Sequence, residues 1–515
     1  MGRRMLLSRT HRSLINVATS AGMQICVLLL NFAVRSALVV GLGQYYLGLN
    51  SVMTSLIAIF SLAELGLGNA ITYSMYKPLA NKERETVEAY LRLYKIVYRI
   101  IGVAIAVIAV AAYPLLPVFL NTDVTFEITA IYALFAANTS MSYLLFAYRG
   151  TLMQANQEKY LVSIADFVFA VSSSVGQILC FMCFSSYILG LVCLVASQAL
   201  RGFVLLIISK MKYSQFDFGS KAHLDKGLRK ELGKNVYAMA IGKFSDTANK
   251  NLTNIVVSSF VGLVQSGLYS NYQMVSSAIN ALLAQAFGAI TPSVGNFNVD
   301  SDESEKMKLL FRIDFIVQWI YCTCCACIWA SVNPFIEAWI GPEYLLDGFC
   351  VMGITANILI IGLLHATVIF KDGCGVFYQG RFRPLATCVL SIVLSFVLVQ
   401  PFGMVGAIWA APLSRAFTAL WYDPLLVFKH VMNKKPHRYY VRMLSNMGMT
   451  VLVSFLCGWA CSVLPGSSWM LFSECVAVSF ALSQICLIVR YRKDPSLYFC
   501  KELALKLIGR AGNAK

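Results

Sequence analysis

Charge is what this sequence has least of. Only 13% of its 515 residues are Asp, Glu, Lys or Arg, against 58% hydrophobic, and the mean hydropathy is +0.68. A soluble domain of this length needs a polar surface that such a composition cannot supply, so a soluble globular protein is excluded. The apolar runs are long, and a run of about 20 mostly apolar residues is enough to cross a bilayer. About fourteen such spans can be placed, beginning near Leu14, Tyr45, Ile96, Ile128, Leu161, Ser185, Val236, Gly267, Ile313, Phe349, Pro384, Met404, Met443 and Ser467. The joins near Phe184 and Pro401 are very short. The expected fold is an all-α polytopic membrane protein of about 14 transmembrane helices.

Basic residues are missing from every second loop. With the amino terminus placed in the cytoplasm, Lys and Arg crowd the cytoplasmic loops, from Arg3 to Arg12, Lys77 to Arg99, Arg149 and Lys159, Lys210 to Lys234, Lys306 to Arg312, Lys371 to Arg383 and Lys429 to Arg442, and the tail from Arg490. Five lie inside spans: Arg35, Arg201, Lys243, Lys250 and Arg415. This is the positive-inside pattern, and it predicts that both termini are cytoplasmic. The net charge of +17 therefore reports topology and contact with anionic lipid, not nucleic acid.

Other absences narrow the class further. The run "YCTCCAC", Cys322 to Cys327, has no His or Asp beside it, which argues against zinc and for small apolar packing. The start "MGRRMLLSRTHRS" leads into a full-length span without a small-residue cleavage site, as expected of an uncleaved anchor. The opposite loops are short, and the longest, 333–348, offers only Glu337, Glu343 and Asp347. A membrane polymerase or ligase acting on lipid-linked sugars needs more there, so an enzyme is not expected.

The chain repeats itself. At a constant offset of 219, Asn16-Val17 falls on Asn235-Val236, Gly43 on Gly262, Gly48-Leu49 on Gly267-Leu268 and Ser51 on Ser270. A weaker match sets "RGTLMQANQEKY" against "KDGCGVFYQGRF". Two copies of six spans that start on the same side make a parallel repeat, and transporters built this way bind substrate between the halves. The expected organisation is an N-lobe over 1–209, a cytoplasmic linker over 210–234, a C-lobe over 235–428, and two appended spans with a tail over 429–515.

Polar residues within the spans form two matching stripes. Lys243, Asp246, Lys250 and Asn254 follow helical spacing along the seventh span, as do Ser20, Gln24, Asn31 and Arg35 along the first. The 219 offset sets Gln24 on Lys243, Asn31 on Lys250 and Arg35 on Asn254. Intramembrane charges mark ligand or ion pathways when they face water or a partner. With three cations to one acid the lining is net positive, which suits a phosphate or diphosphate. A second reading stays open, in which Asp246 pairs with Lys243 or Lys250 and merely neutralises the helix. Arg415 is a further substrate-binding candidate, and Arg201 is expected to snorkel. Asp246 and Glu64, the latter in "SLAELGLGNA", are the candidates for coupling to a proton or sodium gradient; no cofactor and no metal are expected. Asp166, Asp314 and His365 fall near the cytoplasmic edge, where wet positions are cheap.

The segment "LGQYYLGLNSVMTSLIAIFSLAELGLGNAITYSMYKPLANKERETVEAYLRLYKIVYRI" resembles the Wzx-like polysaccharide flippases of bacteria, of the multidrug/oligosaccharidyl-lipid/polysaccharide (MOP) superfamily. "FVGLVQSGLYSNYQMV", "NPFIEAWIGPEYLL" and "FKDGCGVFYQGRFRPL" resemble that family's second half, so the likeness runs from about Asn16 to Lys429. It implies two six-span lobes, alternating access, and a substrate: an undecaprenyl-diphosphate-linked glycan moved from the inner to the outer leaflet of the bacterial cytoplasmic membrane. Capsule, exopolysaccharide or O-antigen assembly would follow, with a polysaccharide polymerase and glycosyltransferases as partners. The run "SDTANKN" departs from the more neutral stretch of that family, which makes Lys250 an adaptation of this chain. Multidrug efflux, the alternative within the superfamily, predicts an acidic and aromatic cavity instead.

Overall fold

The computed structural model describes residues 2–61, 67–145, 147–156, 158–217, 224–300, 302–376, 379–466 and 468–498. Every long element among them is a helix, as the bilayer requires, since a helix satisfies its own backbone donors and acceptors where water cannot. The order is α1 (Gly2–Phe60), α2 (Leu67–Ala80), α3 (Arg84–Ala112), α4 (Leu116–Leu120), α5 (Phe126–Leu144), α6 (Ala147–Ala155), α7 (Lys159–Cys183) and α8 (Tyr187–Lys212). There follow α9 (Lys226–Phe260), α10 (Leu263–Gly288), α11 (Thr291–Asp300), α12 (Glu303–Ile340), α13 (Gly348–Gly373), α14 (Arg383–His430), α15 (His437–Ser462) and α16 (Ser468–Tyr491).

Among the described residues, ten helices are long and apolar enough to cross a membrane. Two of them, α1 and α14, are broken by a non-helical glycine, Gly43 (φ 81°) and Gly403 (φ 54°), and each supplies two spans. The pair α5 and α6, bent by 48°, supplies another. The charged α9 is not among these helices, and it stands where the sequence places the seventh of its expected spans. The chain is thus an all-α, multi-pass membrane protein.

The repeat is visible in the backbone. Gly43 and its equivalent Gly262 both have positive φ, 81° and 131°, at the turn joining the first two spans of each set. Only glycine enters that region without a side-chain penalty. Helices α3 and α12 also begin at residues related by the same offset, Arg84 and Glu303.

The chain divides into two compact units, Met1–Gly267 and Leu268–Lys515. The seventh span, α9, belongs to the first of these. In that unit Tyr90, Tyr94 and Tyr98, one turn apart on α3, form a core with Leu152, Val162, Leu205 and Tyr213. The second arm of α1 meets the start of α10 very closely: a Cβ on Gly48 would lie 2.2 Å from the Leu263 carbonyl oxygen, and one on Gly267 would lie 2.8 Å from the Gly48 nitrogen. The two glycines that the repeat equates therefore lie against each other.

In the second unit α15 and α16 pack on α12, where Cys322, Ala326 and Ala330 present small side chains one turn apart to Val453, Cys457, Cys461 and Cys475. The cysteine run serves close packing, as its surroundings in the sequence predict. Asp314 differs from expectation. It is 2% exposed, because α15 covers it: Arg442 Nε donates to Asp314 Oδ2 at 3.0 Å and Tyr439 OH donates to Asp314 Oδ1 at 3.3 Å. Arg442 Nη1 also reaches Asp494 Oδ2 at 3.0 Å.

Candidate functional site

The polar stripes come to lie on two helices of the first unit that pack against each other, α1 and α9. On the first arm of α1, Gln24 and Asn31 are exposed, and Arg35, nearly one turn past Asn31, is half-buried. On α9, Lys250 is exposed while Asn254, one turn further, is 4% exposed. The stripe on α9 therefore divides. Asn254 Nδ2 donates to Ser55 Oγ at 3.0 Å on the second arm of α1, and Ser266 Oγ donates to the Asn254 carbonyl at 3.0 Å. Ser51 and Ser266 hydroxyls, 3.4 Å apart, extend this ladder beside the Gly48 contact. A hydrogen bond between buried polar groups on apposed helices is what a membrane interior rewards, since neither group can turn to water. Lys250, a turn below, stays accessible.

Arg35 sits in a cluster that sequence reasoning did not find. It interacts electrostatically with Tyr187 at the start of α8. Tyr187 is 3% exposed, donates its hydroxyl to Asn50 Oδ1 at 2.9 Å, and packs on Tyr46 with ring centroids 5.4 Å apart. Tyr46 OH in turn donates to Glu127 Oε1 at 2.6 Å, at the start of α5. The second arm of α1, α5 and α8 are thus joined through Tyr46, Asn50, Glu127 and Tyr187 near the end the charge pattern places outside. The one signal in the sequence is the aromatic doublet in "GQYYLGLN", which is equivalent to Val264-Gln265 in the second half and so is not imposed by the repeat.

Three candidates fall outside what can be described: Glu64 lies outside the described residues, as do the side chains of Lys243 and Asp246. Arg415 belongs to the second unit, where its Nη1 donates to Asn357 Oδ1 on α13. Arg201 does more than snorkel, since its Nε meets Asp166 Oδ1 at 2.5 Å.

The exposed Lys250 of α9 and the half-buried Arg35 of α1 each offer charged donors, and a charge-assisted hydrogen bond to an anion is about twice as strong as a neutral one. In low-dielectric surroundings that attraction grows.

No protein-family model matches the chain, and no curated protein matches it by sequence. Solved structures do match. A multidrug resistance MATE family transporter of the MOP superfamily, in an inward-facing conformation, aligns with TM-score 0.66 at 12% identity over 78% of this chain and 94% of its own. The lipid II flippase MurJ, in an inward closed conformation, aligns with TM-score 0.65 at 12% identity over 92% and 99%. A MOP superfamily transporter from Pyrococcus furiosus, described as having a binding pocket of reverse polarity that suggests a different function, gives TM-score 0.54 at 11% identity over 81% and 94%. The chain has the fold of MOP-superfamily transporters.

Proposed function

We infer that the chain is a flippase that carries undecaprenyl-diphosphate-linked oligosaccharide repeat units from the inner to the outer leaflet of a bacterial cytoplasmic membrane, by alternating access, for surface polysaccharide assembly. The observation that carries this reading is the exposed Lys250 on α9, packed in one unit with the α1 that bears Arg35, Asn31 and Gln24. An excess of positive charge on a membrane-embedded surface favours a diphosphate over the cationic substrates of drug efflux. The sequence motifs that resemble polysaccharide flippases and the fold shared with a lipid-linked-precursor flippase support the same substrate class. Both termini are assigned to the cytoplasm by the basic loops. In this reading the sugar diphosphate meets Lys243, then Lys250 and Arg35, with Gln24, Asn31 and Asn254 as polar companions and Asp246 and Glu64 in coupling. A polymerase and glycosyltransferases act beside it.

The test is flipping of a fluorescent undecaprenyl-diphosphate saccharide in proteoliposomes, comparing the native chain with Arg35→Gln/Lys243→Gln/Lys250→Gln. Loss of at least one charge-assisted bond of about 1.5–3 kcal/mol lowers the rate about tenfold or more, with unchanged melting temperature. An unchanged rate would overturn the cationic site. Transport of a lipophilic cation without flipping of the diphosphate would place the chain among efflux pumps instead.

A further inference from the structure

A cavity with a cationic lining lies in the first unit, and none of its lining residues belongs to the stripes of α1 and α9. Three connections meet around a space of about 290 Å³: the turn from α2 to α3, the turn from α6 to α7, and the segment after α8. Lys82, Arg84, Asn156, Tyr213 and Gln215 face it over an apolar floor that includes Phe216. By the charge pattern this is the cytoplasmic rim of the helices, level with lipid headgroups.

The electrostatics of this cavity are one-sided. Its charged lining residues are both cations, and the nearby carboxylates of Glu88, Glu158 and Glu83 each accept from a donor, which for Glu88 is Arg84 itself. Glu88, 7% exposed, accepts from Arg84 Nε at 2.8 Å and from the Asp217 amide at 2.9 Å. Glu158 accepts from Tyr213 OH and pairs with Lys212 Nζ at 2.8 Å. Glu83 accepts from Asn81 Nδ2 at 2.8 Å. Glu88 thereby acts as a positioning residue, fixing both Arg84 and the segment that carries Gln215 and Phe216. Arg84 is bridged through Nε, which leaves the two terminal amino groups of its planar fork to bind a second anion.

Two further observations argue that these cations are not demanded by the fold. Lys82 occupies a left-handed backbone conformation, φ 58°, where glycine or asparagine costs less. At the 219 offset, the equivalents of Lys82 and Arg84 are Ser301 and Glu303, although α3 and α12 begin at the same register. One half of the repeat has kept two cations where the other has a hydroxyl and an acid.

We propose that this cavity binds a phosphate-bearing headgroup, with Lys82 and Arg84 on the phosphate and Asn156 and Gln215 toward the polar group esterified to it. Planar, forked donation from Arg84 and a point charge from Lys82 match a phosphodiester or phosphomonoester. The position at the rim favours an anionic phospholipid, and free phosphate offers the same chemistry. The site stands whichever substrate the transporter carries.

Binding is measured on the full chain in detergent by titration with short-chain phosphatidylglycerol, short-chain phosphatidylcholine and inorganic phosphate, following thermal stabilisation and bound lipid by native mass spectrometry. The native chain is expected to bind phosphatidylglycerol saturably, and Lys82→Gln/Arg84→Gln to weaken that binding at least tenfold. Lys434→Gln, an exposed lysine of the second unit, stays within twofold of native and controls for net charge. Lipid binding that millimolar phosphate does not displace identifies the source as a headgroup, whereas phosphate binding lost in the double variant identifies free phosphate. Should the double variant fold poorly, Lys82→Gln alone, which removes an exposed side chain, is read in its place. Absence of saturable binding by either probe, or an equal loss in Lys434→Gln, would overturn the proposal.

Discussion

Helices α3 and α12 occupy the same place in the two halves of the repeat and have opposite surroundings. Of the most apolar stretch of α3, 22% is buried; of α12, 56%. The difference comes from the appended α15 and α16, which cover α12 and have no counterpart beside α3. Composition has followed the neighbours. The buried face of α3 carries large tyrosines that fill space, whereas α12 carries cysteine and alanine that admit a second helix closely. The charges differ in the same way: Arg84 is 60% exposed where it meets Glu88, while Arg442 and Asp314 are 19% and 2% exposed. A repeat conserves path and register; it does not conserve environment.

Four substitutions sharpen this contrast, read by thermal unfolding in detergent. The largest effect is expected in the second half. Arg442→Met strands the buried Asp314 beside Asp494 and costs about 3–5 kcal/mol, the usual penalty for removing one member of a buried pair. A loss below 1 kcal/mol would mean that α15 does not seal Asp314 from water. Next come the paired turn glycines. Gly43→Ala and Gly262→Ala each force alanine to positive φ and should cost about 1–2 kcal/mol apiece. Costs that differ severalfold between them would count against a shared turn geometry. The smallest change belongs to the first half: Arg84→Gln breaks a largely exposed bridge and is expected to cost less than about 1 kcal/mol. A cost rivalling that of Arg442 would erase the contrast between the halves.

Most of the path was legible in the residues. Long apolar runs mark the spans, and the Gly43–Gly262 equivalence marks a turn because positive φ leaves a composition signal that any reader of sequence can find. Partnership was far less legible. Asp314 looked wet because its depth along α12 is shallow, and burial came from Tyr439 and Arg442, more than 120 residues away. Asn254 looked like one of four equal members of a stripe, yet Ser55 on another helix claims its amide and leaves Lys250 in a different role. Helical periodicity specifies which residues share a face and is silent on which face meets which. The Arg35–Tyr187 proximity likewise depends on α8 folding back against α1, a distance of some 150 residues along the chain that no local spacing encodes.

The charged stripe of α9 has a consequence for how the chain is made. Lys243, Asp246 and Lys250 would each resist partition into lipid by about 2.5–3.5 kcal/mol at the centre of a span. A nascent α9 leaving the ribosome therefore has little tendency to enter the bilayer by itself. Ser55 and the rest of α1 are already embedded by then, and they offer Asn254 a hydrogen-bonding partner at the moment of insertion. The expected consequence is an ordered biogenesis, with the amino-terminal spans assisting insertion of the seventh. A chain synthesised from residue 210 onward is expected to insert α9 less efficiently than the full chain, which glycosylation mapping of the loop after α9 would report.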